Sequence, residues 1–491
     1  MSAMTKATID DLRGLLERDA RHFGPTLAKL AAERGLAVTK KEDGSVRPIP
    51  ITATPVIVEG AELARRQRLA ALLASAGLKM SRAVLEGLRR DIVFNGLSPL
   101  EQQLAQATFR SLETLVTTRV DFFVSDAVHA LELNATIPAM QAYSDIAANT
   151  FLEVVGRHWG ASPAQISTWQ SKNGSNAKAL FDALMAGYAK VRPGKKPSRM
   201  ALLCRRNDAQ LTEQRSLCAR FNELGVEAEV VHPDQLSGTD RVIANGTPID
   251  LVYRHLFVRR LEEADLPGAE YVKALLAEPN GTRAVVLNPP ASQVEVKAVF
   301  GLMSEAVEDG AIAKAAGLTD DELSAIRTSV PWTRLFKGEA RLKEVLANPD
   351  RYVLKRSWDY GGRAVFVGRT RHEASFGDRV KAAYGQALDW EAMCRRAIED
   401  ASGGGFVVQQ VIDIQPERHL LCSGESQAWA DLFVDFSSYA SVGLPDQPAW
   451  GGVCRGSISH IVNIVGGGGV LPLLTAEVAQ ELHSAAAGRV K

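Results

Sequence analysis

The spacing of apolar residues predicts helices in the first part of the chain. Residues 12–36, 62–76 and 100–118 carry apolar side chains at helical spacing. The stretch "RPIPITATPVIV" between the first two is punctuated by proline and predicts extended backbone. The polar, proline-flanked segment "RPGKKPSR" at 192–199 predicts a linker and a domain boundary.

After this linker the pattern alternates between strand and helix. Strands are predicted at 200–204, 227–231, 248–254 and 283–288, and helices at 210–224 and 268–276. Such alternation is typical of a small parallel sheet, so residues 199–290 are predicted to form a parallel α/β domain. A helix is predicted over 294–308, and the chain from 351 onward reads as strand-rich with long glycine turns.

Composition and charge limit the kinds of protein and partner that this chain is compatible with. The 491 residues are 46% hydrophobic and 23% charged, with 57 basic residues against 57 acidic ones. This balance gives no electrostatic reason to expect a nucleic-acid or membrane partner, and no apolar run reaches the roughly 20 residues of a membrane span. The five cysteines are scattered without metal-ligand spacing, and the first residues lack a signal-peptide pattern. We therefore expect a soluble, cytoplasmic protein with free thiols.

The segment "YVLKRSWDYGGRAVFVG" at 352–368 places residues that could bind phosphate and metal between two predicted strands. Lys355 ends the first strand, and Asp359 precedes Gly361 and Gly362. A lysine can pair with phosphate oxygens, glycines let backbone N–H groups approach a phosphate, and a carboxylate can hold Mg²⁺. The alternative is an ordinary hairpin that needs glycine in its turn.

A second candidate site lies in "RVDFFVSDAVHALELNATI" at 119–137. Glu132 and Asn134 are two residues apart on a predicted strand, so both face the same side. Their oxygen atoms are hard ligands suited to Mg²⁺. Because Leu131, Leu133 and Ala135 fill the other side, an ordinary half-buried strand explains the same alternation.

Isolated cations and glycines give further candidates. Arg254 ends a predicted strand and could clamp a carboxylate, although a surface ion pair is the simpler reading. Arg455 follows a Gly-Gly turn, and the four glycines 466–469, which include Gly467 and Gly468, could form a loop that closes over a substrate or a plain connection. Lys297 lies on a predicted helix, where an exposed lysine is the ordinary interpretation.

The order of these motifs resembles that of a known family. "RVDFF", "ELNATI", "TEQRSLCARF", "DLVYRHLFV", "VEVKAVFGLM", "YVLKRSWDYGG", "FVVQQVIDIQPE" and "GGVCRGS" follow one another as do the motifs of eukaryotic-type glutathione synthetase. The glycine-rich segment 466–469 resembles bacterial permuted ATP-grasp proteins more closely than it resembles glutathione synthetase itself. The resemblance implies an α/β, circularly permuted ATP-grasp fold with an inserted parallel-sheet domain. Its divisions would be an N-terminal region 1–198, a substrate domain 199–290 and a nucleotide-binding domain 291–491.

The resemblance also implies roles for individual residues. ATP would be bound by Lys297, Lys355, Gly361, Gly362 and a hinge strand containing Gln409, Gln410, Val411 and Ile412. Mg²⁺ would be held by Glu132, Asn134 and Asp359. Substrate contacts would come from Arg119, Gln214, Arg254, Arg455, Gly467 and Gly468, and Arg119 and Arg455 would be catalytic.

Several positions depart from the family pattern. Ile137 and Ala139 stand where the family has two substrate-contacting serines, and Asp359 replaces a metal-binding glutamate. Gln410, Ala364 and Ser457 also differ from the residues expected there. These changes put γ-glutamylcysteine in doubt as the substrate and predict a less polar acceptor pocket.

The activity implied by the resemblance is ADP-forming ligation of a carboxylate to an amine. The substrates would be small molecules of the amino acid or peptide class, bound without nucleic acid or membrane, and a homodimer is compatible with the family. Three alternatives stay open: another ATP-grasp reaction in the same pocket, such as peptide or polyamine ligation; phosphotransfer without ligation; and a non-catalytic nucleotide-binding scaffold.

Overall fold

The computed structural model describes residues 6–108, 111, 115–263, 265–359, 361–462, 464 and 468–487. The helices of these residues are α1 Lys6–Glu33, α2 Gly60–Leu85, α3 Arg90–Phe94, α4 Pro99–Ala107, α5 Gln141–His158, α6 Pro163–Asn173, α7 Asn176–Val191, α8 Leu211–Glu223, α9 Ala269–Leu276, α10 Ser292–Glu295, α11 Lys297–Ala306, α12 Gly310–Ala316, α13 Asp320–Ser329, α14 Glu339–Ala347, α15 Ala374–Tyr384, α16 Trp390–Glu399 and α17 Ala476–Ala487.

The strands in the first half of the chain are β1 Ala37–Thr39, β2 Val46–Pro48, β3 Ile51–Thr52, β4 Val56–Val58, β5 Leu115–Val124, β6 Val128–Asn134, β7 Arg199–Leu203, β8 Glu227–Val231, β9 Leu236–Ser237, β10 Val242–Ala244, β11 Thr247–Ile249 and β12 Leu251–Arg254. Those of the second half are β13 Val285–Leu287, β14 Thr333–Leu335, β15 Tyr352–Arg356, β16 Val365–Val367, β17 Phe406–Gln410, β18 Glu417–Ser423, β19 Ser426–Val442, β20 Ala449–Ser457, β21 Gly469–Leu471 and β22 Leu473–Thr475.

A seven-stranded sheet joins distant parts of the chain in the order β18-β3-β21-β20-β19-β5-β6. Its long strand β19 pairs antiparallel with β5, β18 and β20. Side chains alternate across β5, so Val120 and Phe122 are fully buried in the core while Asp121 and Phe123 project to the other face. That second face carries the candidate site.

A four-stranded antiparallel sheet, in the order β14-β17-β15-β16, forms around the segment 352–368. The predicted hairpin is confirmed: β15 pairs with β16, with Val353 opposite Val367. Tyr352 and Leu354 pack into a core under α15 and α16, and the alternation turns Val353 and Lys355 to the opposite face. This face of the sheet lies opposite the polar face of the seven-stranded sheet.

The third large sheet is parallel, as the alternation of strands and helices predicted. Its order is β13-β12-β7-β8, and all three pairings are parallel. The chain leaves β7 for β8 on one side and later returns to β12 on the other. Ligands of such sheets bind where the order reverses, outside the carboxyl ends of the strands. Here that point lies between β7 and β12.

The predicted helix over 100–118 is wrong in its second half. Helix α4 ends at Ala107, and Leu115 begins strand β5. The run "LVTTRVDFFV" is rich in β-branched and aromatic residues, which favour a strand, although its apolar spacing also matches a helix. The helix begins with a capping box, in which Ser98 Oγ accepts from Glu101 N and the Glu101 carboxylate accepts from Ser98 N.

Two other predicted elements differ in detail. The helix predicted over 294–308 is broken at Val296 into α10 and α11, so Lys297 stands at a helix start. The chain after 351 also contains helices α15, α16 and α17 besides its strands.

All five cysteines are free and buried. Within the described part of the chain, no helix combines the length and apolar character needed to cross a membrane.

Candidate functional site

A cleft with a cavity volume of about 120 Å³ lies between the four-stranded sheet and the polar face of the seven-stranded sheet. Its walls include most residues predicted to bind nucleotide, metal or substrate. These are Glu132, Lys297, Lys355, Asp359, Gly361, Gly362, Gln409, Gln410, Val411, Ile412 and Arg455. Side chains from segments more than 300 residues apart therefore meet in one place.

Two lysines on different elements line the cleft. Lys297, at the start of α11, donates from Nζ to the backbone oxygen of Asp359 at 2.9 Å and lies 3.5 Å from Glu132 Oε2. Lys355, at the end of β15, donates from Nζ to Leu131 O at 3.2 Å. Burial lowers the pKa of Lys355 to about 8. A buried ammonium group is costly to keep charged, and an anionic ligand beside it would relieve that cost.

The turn after Asp359 has the backbone shape that its glycines allow. Gly361 and Gly362 have φ values of 69° and 72°, in the left-handed region that favours glycine. A Cβ atom on Gly361 would meet open space, whereas one on Gly362 would come within 2.8 Å of Ile461 Cγ2. Gly361 thus leaves its backbone accessible from the cleft, as a phosphate contact requires.

Two of the three predicted metal ligands, Glu132 and Asp359, line the cleft. Asn134 lies two residues beyond Glu132 on β6 and is not among the described residues that line it. Asn134 Nδ2 is buried and has no hydrogen-bond partner among the described residues. The Asp359 carboxylate lies 3.5 Å from Arg356 Nη1, and Arg356 also pairs with Asp400 at 3.0 Å. Arg356 therefore holds Asp359 from behind the cleft.

These residues fit Mg²⁺ with partial protein ligation. Two carboxylates and one amide supply hard oxygen donors, which Mg²⁺ prefers together with water and phosphate oxygens. In the described parts of the chain, no group of three or more His, Cys, Asp and Glu side chains is gathered as a metal centre. A cation here would thus depend on the amide oxygen and on ligand oxygens.

The predicted hinge strand lines the cleft with four consecutive residues. Gln410 N donates to Trp332 O and Val411 N donates to Arg351 O, each at 2.9 Å. The Gln409 side chain is buried and donates to Thr333 Oγ1 at 3.0 Å. This segment is held at the end of β17, an inner strand of the four-stranded sheet, and the apolar residues Val365 and Val367 of β16 also line the cleft.

Both arginines predicted to be catalytic, Arg119 and Arg455, belong to one buried ionic network. Arg119 holds Asp121 through two hydrogen bonds, Nε to Oδ1 at 2.7 Å and Nη2 to Oδ2 at 3.0 Å. Arg455 donates from Nη2 to Asp121 Oδ2 at 2.9 Å and also pairs with Asp435. Two positive charges thus face two negative ones, and the pairing keeps the pKa of Asp121 well below its usual range.

Asp121 and Asp435 are site residues that the sequence analysis did not single out. Both line the cleft and are almost fully buried. Burial beside Asp121 raises the pKa of Asp435, while Arg455 opposes that shift. A usable signal existed, since a carboxylate interrupts an otherwise apolar strand in both "RVDFFV" and "LFVDFS".

Arg254 does not reach the cleft. Its guanidinium is buried and donates to three backbone oxygens, those of Leu256 at 2.5 Å, Asn288 at 3.0 Å and Pro289 at 3.2 Å. Burial lowers its pKa to about 10. These hydrogen bonds tie the end of β12 to the loop after β13. The sequence had instead predicted that Arg254 would clamp a carboxylate.

Gln214 lies at the switch point of the parallel sheet, inside a buried polar cluster. Its Nε2 donates to His255 Nδ1 at 3.1 Å, so a neutral His255 carries its proton on Nε2, which lies 3.6 Å from Asp208 Oδ1. Burial raises the pKa of the adjacent Glu213 to about 7. Glu213 Oε2, Gln214 Oε1 and His255 Nε2 are buried without hydrogen-bond partners among the described residues.

The predicted glycine lid is only partly described. Gly467 lies outside the described residues, and Gly468 is buried just before β21. The neighbouring residues His460, Ile461 and Val462 do line the cleft. The His460 ring lies against Phe433, with ring centroids 4.0 Å apart and planes tilted by 31°. One wall of the cleft is therefore formed by the segment that follows β20.

No protein-family model and no curated protein sequence matches this chain. Among solved structures, it is similar to the apo form of a glutathione synthetase-like effector from Globodera pallida, with 10% sequence identity and a TM-score of 0.57. The match covers 93% of this chain and 97% of that one. The chain has the glutathione synthetase-like fold.

A second solved structure is more distant. It is a provisionally named gamma-glutamylcysteine synthetase from Methylobacillus flagellatus KT, with 10% identity, a TM-score of 0.39 and coverage of 84% of this chain and 96% of that one. This TM-score is too low to carry an argument. The cleft between the two facing sheets of this chain holds the contacts described above.

Proposed function

We propose that the protein is an ATP-dependent ligase that joins a small carboxylate to an amine through an acyl phosphate. The observation that carries this proposal is the convergence of Lys297, Lys355, Glu132 and Asp359 on one cleft. Phosphoryl transfer needs positioning and charge neutralisation more than covalent help from the protein. A cleft with two lysines, two carboxylates and a glycine turn supplies both.

The reaction would proceed in two steps. A substrate carboxylate oxygen attacks the γ-phosphorus of ATP, the bond to the β,γ-bridging oxygen breaks, and ADP leaves. The amine nitrogen then attacks the acyl carbon, the C–O bond to phosphate breaks, and the amine loses a proton as the amide forms. Lys297 and Lys355 would hold phosphate oxygens, and the backbone at Gly361 would approach them.

Glu132, Asn134 and Asp359 would hold Mg²⁺, which would neutralise phosphate charge when bound. The hinge residues 409–412 would lie against the base, since they form an apolar and amide-bearing edge of the cleft. Arg455 is the arginine that we propose for contact with developing negative charge, because it lines the cleft. Arg119 lies behind Asp121, so we propose that it orients that carboxylate.

The cluster around Gln214 is our proposed subsite for the head group of an amino acid substrate. Its three unpartnered atoms comprise carboxyl and amide oxygens and an imidazole nitrogen. Leaving such atoms buried without partners costs free energy, and a bound ammonium group would satisfy the two oxygens. The backbone of residues 139–142 connects this cluster to the cleft, because Ala139 O accepts from Arg119 Nη1 and Ala142 N donates to Glu213 Oε1.

ADP release tests the proposal directly. Purified protein with Mg·ATP should release ADP only when a carboxylate and an amine are both supplied from pools of amino acids, dipeptides and polyamines. A new product at the mass of the condensed pair should appear in equal amount. Asp359→Ala should lower the rate by about 100-fold or more, because a metal-binding oxygen is lost.

Asp431→Ala is the matched control, since Asp431 is an exposed carboxylate on β19 away from the cleft. Its rate should equal that of the unchanged protein. ADP release without an amine would favour phosphotransfer instead. Failure to bind Mg·ATP in calorimetry would contradict any nucleotide-dependent function.

A further inference from the structure

A second pocket, of about 400 Å³, lies at the amino ends of β7, β12 and β13, away from the carboxyl ends of these strands that carry Arg254 and His255. The charged residues that line it are Arg192, Lys195, Lys196, Arg241, Arg283 and Asp250. We call this set the basic pocket. It lies beside the predicted linker 192–199, which joins α7 to β7.

The basic pocket has a strong excess of positive charge, although the whole chain has none. Five cationic side chains face a single carboxylate. That carboxylate, Asp250, is already engaged, since it accepts from Ser198 N at 2.8 Å, Ser198 Oγ at 2.6 Å and Arg241 Nη2 at 3.1 Å. Lys195 and Lys196 are exposed, and neither has a carboxylate within ion-pair distance among the described residues.

Two of the arginines are oriented by contacts that leave their charge uncompensated. Arg192 donates to the backbone oxygen of Gly281. Arg283 donates from Nη2 to Ala274 O at 2.8 Å and lies over the ring of Tyr271, 6.0 Å from its centroid. Carbonyl and aromatic partners hold a guanidinium in place without cancelling its charge, so both groups are available to an anion.

We propose that the basic pocket binds a compact polyanion that carries two or more phosphates, such as inorganic triphosphate or the phosphate tail of a nucleotide. The cations converge on a concave pocket, which suits a small multivalent anion. A nucleic-acid backbone would instead call for cations spread along a stripe. This inference does not depend on the proposed ligase function, because the two pockets share no residue.

A bound anion would also connect two parts of the structure. Arg192 directly follows α7, and Lys195 and Lys196 belong to the linker, whereas Arg241 and Arg283 belong to the segments that precede β10 and β13. An anion held by both groups would tie the end of α7 to the parallel sheet. Binding should therefore stabilise the folded protein, and increasingly so as the ligand concentration rises above the dissociation constant.

The test is calorimetric titration of the full chain with inorganic tripolyphosphate at ~0.15 M salt, where weak surface attraction is screened. Lys195→Gln/Lys196→Gln should weaken binding at this pocket by about tenfold or more, since two charge-assisted contacts are lost. Lys40→Gln/Lys41→Gln removes an exposed lysine pair elsewhere on the chain and should leave binding unchanged.

A further variant separates the basic pocket from the nucleotide cleft. Lys355→Met should leave the tripolyphosphate site that depends on Lys195 and Lys196 intact. The proposal is overturned if the Lys195→Gln/Lys196→Gln protein binds as tightly as the unchanged chain, or if Lys355→Met alone abolishes binding. It is also overturned if a single-stranded oligonucleotide binds at this pocket and tripolyphosphate does not.

Discussion

Replacing Lys355 with methionine should strongly weaken nucleotide binding while making the free protein slightly more stable. The loss of the charged group that faces the phosphates should weaken binding of an ATP analogue by about 100-fold, which corresponds to roughly 3 kcal/mol. Calorimetry with a non-hydrolysable analogue and Mg²⁺ measures this effect. Lys343→Met is the matched control, because the Lys343 side chain is 75% exposed and remote from the cleft.

The stability gain follows from the burial of the lysine. Charging Lys355 in the folded protein costs roughly 2 kcal/mol, allowing for its partial contact with solvent. Methionine removes this cost but also the hydrogen bond to Leu131 O, which is worth about 1 kcal/mol. A net gain of about 1 kcal/mol is therefore expected at pH 7 in urea unfolding.

The pH dependence of this gain has a definite sign. Folding lowers the pKa of Lys355 from 10.5 to about 8, so the charging cost is fully present below pH 8. The cost disappears as the pH rises from 8 toward 10.5, because the folded protein then holds a neutral amine. The stability difference between Lys355→Met and the unchanged chain should shrink over this range. A difference that stays constant from pH 7 to 10 would show that burial of the charge is not its cause.

Removing Arg455 should produce the largest loss of stability among single substitutions in the cleft. Arg455→Met leaves Asp435 without its cationic partner and Asp121 with only one of its two, both in a buried position. Breaking a buried ion pair from one side costs about 3–5 kcal/mol, since an uncompensated charge remains. Urea unfolding of the variant at pH 7 measures the loss.

The matched test removes the opposing charge as well. Asp435→Leu/Arg455→Met leaves Arg119 and Asp121, which form a balanced pair through two hydrogen bonds of their own. The double variant should thus recover at least half of the stability that Arg455→Met loses. If the two substitutions are simply additive, the network is not held together by charge balance.

Local alternation accounts for much of what could be predicted about the site. Lys355 and Glu132 face the cleft because side chains of a strand alternate, and their apolar neighbours Leu354 and Leu133 are buried on the other side. The hairpin and the parallel sheet also followed from short-range patterns. Lys297 could not be found in this way, since at the start of a helix it looks like any exposed lysine. Only the order of motifs along the chain indicated it.

The arginines show why the remaining features were not predictable. Arg455 meets Asp121 across 334 positions of sequence, so no local pattern links them. Arg254 was expected to bind a carboxylate because it ends a strand, yet the loop at Asn288 and Pro289 supplies backbone oxygens instead. Residues 115–118 were predicted to end a helix but begin strand β5, because so short a mixture of apolar and polar positions satisfies both periods. In each case, tertiary packing decides between two local structures or contacts that the sequence supports equally well.

Because all five cysteines are buried, the rate at which each one is alkylated reports local opening of the fold around it. Cys204 and Cys218 lie in the parallel-sheet unit, Cys394 lies under the four-stranded sheet, and Cys422 and Cys454 lie in the seven-stranded sheet. Burial raises the pKa of every one of these thiols, to about 12 for Cys218 and about 11 for Cys422. An alkylating reagent reacts with the thiolate, so each cysteine is modified only after its surroundings open. Timed alkylation followed by peptide mass analysis would therefore report how fast each sheet unfolds, without any engineered label.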